Sequence, residues 1–220
     1  MKVGGCMDTF RQFITSYPKR TFKKGETILL KGDVPEYVYV IESGLVKTYT
    51  ITSRGDERLV SIDRKDDDFP IGFAFGLVDA SEYFYEAFSK CSIRCIPRND
   101  YLNHLHTDVH SMYKRHAHVT MLLMTTQSRI HALEQSHASD KIAHTLLYMA
   151  EQLGVILRPY KTQLKISVTQ QEIADSLGLT RETTNIELKK LETLNIIDHS
   201  RRSYVLHMER LREYLAKKET

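Results

Sequence analysis

Residues 169–194 read TQQEIADSLGLTRETTNIELKKLETL, and the spacing inside this stretch decides the fold of the C-terminal part. Thr169 stands three residues before Glu172, so a hydroxyl and a carboxylate can each satisfy a backbone amide at a helix start. Ile173, Ala174 and Leu177 give that helix one apolar stripe, and Gly178 supplies the backbone freedom of a sharp turn before Leu179. Thr180 caps a second helix, which turns Thr184, Leu188 and Leu191 inward and leaves Arg181, Glu182, Asn185 and Lys189 on a polar face. Arg can grip guanine with two hydrogen bonds and Glu accepts one from cytosine. A helix presenting Arg181, Glu182 and Asn185 near its start therefore suits a DNA major groove. The competing reading is an ordinary helical hairpin with solvated charges. It is disfavoured because cap, glycine turn, second cap and reader residues fall in one register.

Downstream, Asn195 to His199 leads into SRRSYVL, a polar tip followed by an alternating strand, which predicts a β-wing beside the second helix. Arg201 and Arg202 at the tip, with Lys189 and Lys190 on the helix, are candidates for phosphate attraction. The whole segment resembles the winged helix-turn-helix of the CRP/FNR family of bacterial transcription regulators, whose recognition helix opens on an Arg-Glu-Thr run like Arg181, Glu182 and Thr183. The resemblance implies that Arg181 and Glu182 touch bases and that Thr169, Gln171, Thr180 and Thr183 touch phosphates. One position departs from it. Ile186 stands where many members carry a second base-reading Arg, so a different half-site is expected, with Asn185 or Lys189 as substitutes.

The chain has 220 residues and a formal charge of +3, enough length for two cores and too little charge to announce a nucleic-acid partner globally. No apolar run approaches a membrane span and the start MKVGGCMDTF lacks a signal-peptide core, so a cytoplasmic protein is expected. Three cysteines, Cys6, Cys91 and Cys95, read as free thiols, with a redox-sensing pair as the alternative. Iron–sulfur relatives place several cysteines close together near the N-terminus, where this chain has Cys6 alone, so no cluster is expected.

Met7 to Tyr17 has the apolar spacing of a short helix ended by Pro18. From Phe22 the chain changes to short β-rich runs, FKKGETILLKGD, YVYVIESGLVKTYTIT and SRGDERLVSID, punctuated by Gly25, Gly32, Gly44 and Gly55. That pattern predicts hairpins of an antiparallel roll and resembles the family's sensor domain. Asp66 to Ala87, DDDFPIGFAFGLVDASEYFYEA, falls where cyclic-nucleotide-binding relatives hold the phosphate. Gly72 is kept, but Phe73 replaces the family's Glu, and Tyr85 with Glu86 lies about where an Arg-Ser pair is expected. A carboxylate there repels a cyclic phosphate, so cyclic AMP held in the family's way is not expected, and no cofactor or metal is predicted. Two readings stay open for the aromatic residues: Phe73, Phe75, Tyr83 and Tyr85, with Leu123 from the following helix, line a pocket for a hydrophobic effector, or the rings fill the space themselves.

Leu105 to His137 predicts one long helix. Val109, Met112, His116, Val119, Leu123, Thr126, Ile130 and Leu133 step by alternating threes and fours, the seam of a two-helix coiled coil, with Met121, Leu122 and Met124 suited to packing on the roll. His106 and His110 share the spacing of a metal pair but lack a matching carboxylate or cysteine. Ser139 or Asp140 is expected to cap the next helix, Gly154 to end it, VILRPY and TQLKISV to pair, and MERLREYLAKKE to close the domain.

The expected fold class is α+β. It comprises an N-terminal helix and cyclic-nucleotide-binding-like antiparallel β-roll over residues 1–104, a dimerisation helix over 105–138, and a winged helix-turn-helix over 139–220. The expected function is a homodimeric, sequence-specific transcription regulator that reads a pseudo-palindromic duplex, contacts RNA polymerase, and has a noncanonical or absent effector. The alternative is a small-molecule sensor or interaction dimer with a vestigial DNA-binding half. No nucleophile, phosphate loop or metal constellation at usable spacing suggests an enzyme.

Overall fold

The computed structural model describes residues 9–158, 161–164, 168–200 and 203–217. The chain divides into two compact units, Met1–Thr50 with Leu59–Met121, and Ile51–Arg58 with Leu122–Thr220. No helix among the described residues is long and apolar enough to cross a membrane.

The N-terminal unit is an α1 helix (Thr9–Thr15) followed by eight strands: β1 (Lys19–Phe22), β2 (Thr27–Leu29), β3 (Val38–Ser43), β4 (Val46–Ile51), β5 (Glu57–Asp63), β6 (Asp68–Phe69), β7 (Phe84–Ala87) and β8 (Cys91–Ile96). A short α2 (Ile71–Ala74) sits between β6 and β7, and α3 (Arg98–Thr107) follows β8. The strands form two four-stranded sheets, ordered β1-β8-β3-β6 and β2-β7-β4-β5. Gly25, Gly32, Gly44 and Gly55 all lie at positive φ, as turn-makers should. At Gly44 a side chain is impossible for a second reason: a Cβ would come within 2.3 Å of the Lys90 carbonyl oxygen.

Strand β3 explains the layering. Its residues Val38 to Ile41 are all buried, because alternate side chains of a strand point to opposite faces and here both faces are covered. Tyr39 and Ile41 join Leu29, Val46, Phe69, Tyr85, Cys91, Ile93 and Cys95 inside the roll. Val38 and Val40 instead meet Phe10, Ile14, Phe73, Tyr101 and Leu105 under the helices. Arg94, facing out of β8, donates to Glu42 Oε1 at 2.8 Å and to the carbonyls of Thr15 and Tyr17 at 3.2 and 2.9 Å, which pins the end of α1 to the sheet.

The long helix is broken where one continuous helix was expected. Asp108 separates α3 from α4 (Val109–Glu134) and caps the latter, accepting from the amide of His110 at 3.0 Å and the hydroxyl of Ser111 at 2.7 Å. His106 and His110 consequently stand on different helices and share no helical face. Ser111, Arg115, Arg129 and Ala132 are buried along α4, while Val109, Val119, Leu123, Ile130 and Leu133 are exposed in an adjoining stripe. The expected seam is thus an uncovered stripe within the chain, except Met112, which packs partly under the helices with the N-terminal core. Met121 and Met124 are exposed, and Leu122 is partly buried.

The C-terminal unit is built on α5 (Ala138–Leu153), whose Ile142, Ala143, Leu146, Met149 and Leu153 are buried. Around it lie β9 (Gly154–Arg158), β10 (Lys161–Leu164), α6 (Gln170–Leu177), α7 (Arg181–Thr193), β11 (Ile197–Ser200), β12 (Ser203–His207) and α8 (Met208–Ala216). The strands form one sheet, ordered β11-β12-β10-β9. One expectation at α5 is corrected. His137, not Ser139 or Asp140, is the N-cap, because buried Asp140 instead accepts hydrogen bonds from Ser139 and, at 3.1 Å, from Tyr214 of α8. Gly154 ends the helix after Leu153 as expected, at φ −68° as the first residue of a strand and not as a left-handed glycine.

Candidate nucleic-acid interface

Helices α6 and α7 realise the turn predicted from residues 169–194. Thr169 Oγ1 accepts from the Glu172 amide at 3.1 Å and Glu172 Oε2 accepts from the Thr169 amide at 2.6 Å, a complete capping box. Gly178 takes the left-handed conformation, φ 68° and ψ 27°, and ends α6. Thr180 caps α7 by accepting from the Thr183 amide at 3.1 Å. Thr184, Leu188 and Leu191 are buried beneath α7, and each leucine so buried stabilises the unit by about 1.5–3 kcal/mol. The inner face thereby fixes which residues look outward: Arg181, Glu182, Ile186, Lys189 and Lys190 are exposed.

Several expected contact residues are already engaged. Asn185 is half-buried and its Oδ1 accepts from Gln170 Nε2 at 3.2 Å, so its carbonyl is tied to α6. Gln171 donates to Asp175 Oδ1 at 2.8 Å. The Thr180 and Thr183 hydroxyls lie 2.9 Å apart. Lys190 pairs with Glu187 at 2.7 Å, a surface ion pair worth at most about 1 kcal/mol and easily exchanged for a phosphate. Asn195 at φ 53° turns the chain from α7 into β11, which pairs with β12 in register Ser200↔Ser203 as the wing. Arg201 and Arg202, expected at its tip, lie outside the described residues.

Of the five residues expected to line an effector pocket, the four in the N-terminal unit divide between two cores. Phe73 and Phe75 pack under the helices on the outer side of the β3 sheet. Tyr83 and Tyr85 belong to the interior of the roll. Leu123 is exposed on α4. Inside the roll Tyr39 stacks on Phe69 at 5.4 Å and Phe69 on Tyr85 at 4.7 Å, so a continuous three-ring stack occupies the interior. Glu86 turns away from it, 3.4 Å from Lys47.

Cys91 and Cys95 both face the roll interior, as their alternation implied. Four residues along one strand separate them by about 13 Å, nearly twice the Cα distance a disulfide can span, so they do not form a redox pair with each other. Burial pushes the Cys91 thiol up to about 11 and raises that of Cys95. Cys6 lies outside the described residues.

Sequence reasoning missed one buried charged network in the N-terminal unit. Arg115 Nη1 meets Asp68 Oδ1 at 2.5 Å and the Asp66 carbonyl at 2.7 Å, Tyr101 donates to Asp68 Oδ2 at 2.7 Å, and the guanidinium lies 4.7 Å from the Phe10 ring centroid. One turn along α4, His118 Nδ1 lies 3.0 Å from Asp67 Oδ1. The available signal was on α4 itself: Ser111, Arg115 and His118 step by four and three along a row beside the apolar seam.

A helix-turn-helix with an adjacent wing and an outward Arg-Glu pair is a DNA-reading arrangement. Two family models fit the chain: the cyclic nucleotide-binding domain over residues 19–108 and the Crp-like helix-turn-helix domain over residues 140–214. The chain belongs to the CRP/FNR family of transcription regulators. This CRP/FNR regulator is 28% identical over 185 residues to electron transport regulator A of Shewanella oneidensis, a match covering 82% of this chain and 71% of the relative. It is 25% identical over 194 residues to the cAMP-activated global transcriptional regulator CRP of Escherichia coli O157:H7, covering 88% and 89% of the two chains. Among solved structures, FixK2 from Bradyrhizobium japonicum matches with a TM-score of 0.72 and 26% identity, over 90% of this chain and 96% of that one. The chain is accordingly a DNA-binding transcription regulator, from a family of regulators and not of enzymes.

Proposed function

We propose that this regulator works as a homodimer whose paired α7 helices read a pseudo-palindromic duplex in successive major grooves. The observation that carries the proposal is the uncovered apolar stripe of α4, Val109, Val119, Leu123, Ile130 and Leu133, running beside a buried row on the same helix. An exposed apolar stripe along a long helix is suited to pairing with a second copy. His116 and Thr126 on the stripe set the register. Arg181 and Glu182 contact base edges. Thr169, Gln171, Thr180, Thr183, Lys189, Lys190, Arg201 and Arg202 approach phosphates.

No cyclic nucleotide seats in the roll as it would in the cAMP-activated relative. The Tyr39–Phe69–Tyr85 stack and the diversion of Phe73 to the helical layer support this reading. DNA reading then needs no added cyclic AMP. The regulator acts in the cytoplasm, activating by touching RNA polymerase or repressing by blocking it according to where its site lies.

Titrating the protein onto a selected duplex over a range of salt tests the reading. Several phosphate contacts per dimer predict a steep fall of affinity with salt. Arg181→Ala is expected to cost about 1–3 kcal/mol on the specific site and nothing on a random duplex. Affinity independent of salt, or an Arg181→Ala protein with full sequence preference, contradicts it.

A further inference from the structure

We infer that Ile186 is a specificity-determining residue, packing against the 5-methyl group of a thymine in each half-site. The inference rests on the reading of α7 as the base-contacting helix. Successive residues of a helix are about 100° apart, so the point opposite buried Thr184, Leu188 and Leu191 falls between Glu182 and Ile186. Ile186 therefore stands near the outermost line of α7, 54% exposed. It adds little to the core beneath the helix, and its neighbours on the outer face, Glu182 and Lys189, are charged and exposed.

Isoleucine can neither donate nor accept a hydrogen bond. The thymine methyl is the apolar feature that base edges offer in the major groove. A rise of about 1.5 Å per residue carries Ile186 about 7.5 Å along the helix from Arg181, roughly two base-pair steps of 3.4 Å. Asn185, the polar candidate for this stretch of groove, has its carbonyl committed to Gln170. The apolar side chain is thus better placed than the amide to meet the base.

The test uses sites selected by the wild-type protein from a randomised duplex pool. Each thymine is replaced in turn by deoxyuridine, which lacks only the methyl group, and the duplexes are bound to wild type, Ile186→Ala and Arg181→Ala. One thymine per half-site, about two base pairs from the guanine lost in Arg181→Ala, is expected to show a loss of about four-fold for wild type, the worth of one buried methyl. The same replacement should leave Ile186→Ala unchanged. If wild type and Ile186→Ala respond identically to every replacement while Arg181→Ala loses its guanine, the inference about Ile186 falls and the recognition-helix reading stands. If Arg181→Ala also keeps the wild-type preference, or wild type selects no motif, both fall.

Discussion

Asp68 and Arg115 are both buried, and their ion pair is completed by the Tyr101 hydroxyl. Burial alone lowers the affinity of Arg115 for its proton, but the Asp68 carboxylate outweighs it and the guanidinium stays charged. Asp68→Ala leaves that charge buried and unpaired, so unfolding in urea should show a loss of about 3–5 kcal/mol. Nearby, burial pushes the Asp63 carboxyl up to about 6 against the hydrogen bonds from Thr48 and Ser61. The folded state therefore holds a proton that the unfolded chain releases near pH 4. Stability from this group is full below about pH 4 and is lost as pH rises through 6, an effect on the order of 2–3 kcal/mol. For His118, burial opposes the charged ring, but the hydrogen bond and charge of Asp67 win and raise its pKa. Its contribution is full below about pH 6.5 and disappears as pH rises through the higher folded value. Denaturation from pH 4 to 8 should show Asp63→Asn flatter than wild type in the acidic half of the range and His118→Gln flatter in the neutral half; parallel curves for all three contradict the assignments. None of these residues was legible as a partner of another. Asp66 to Asp68 read as the start of the stretch where cyclic-nucleotide-binding relatives hold the phosphate, and only the fold brings them to a helix about fifty residues away.

The elements that sequence reasoning placed correctly are those whose signals are local. Thr169 and Glu172, Gly178, and Thr180 each act within a few residues of themselves, so the helix-turn-helix could be read from spacing alone. Thr169→Ala should cost about 1 kcal/mol in urea unfolding, since the Glu172 amide loses its acceptor while the Glu172 carboxylate keeps the backbone amide of residue 169; an unchanged midpoint would show that the hydroxyl cap adds nothing. At Asp108 a local cap was present in the sequence but was overridden by the longer apolar periodicity around it. The His106–His110 metal spacing was an artefact of that same merged helix. The aromatic residues of Phe73 to Tyr85 could not be assigned to one side of a sheet from sequence, because α2 interrupts the strand alternation between them and divides them between two cores.

At the scale of the whole molecule, the proposed homodimer rests on the exposed apolar stripe of α4. Replacing Leu123 and Ile130 together by Glu should convert a particle of about twice 25.5 kDa into a monomer on sedimentation, with the fold of each unit kept, because both side chains are exposed within one chain. The same variant should lose tight binding to a two-half-site duplex, since each half-site alone supplies only part of the affinity. The two-fold axis of such a dimer is what would turn a local reading of α7 into a prediction about DNA. The most direct measurement is selection of binding sites from a randomised duplex pool by the purified protein without added cyclic nucleotide, at low and moderate salt. The account predicts a motif with two-fold symmetry, its half-sites centred about one helical turn apart, 10–10.5 base pairs. A motif without that symmetry, or no enrichment at either salt, contradicts it.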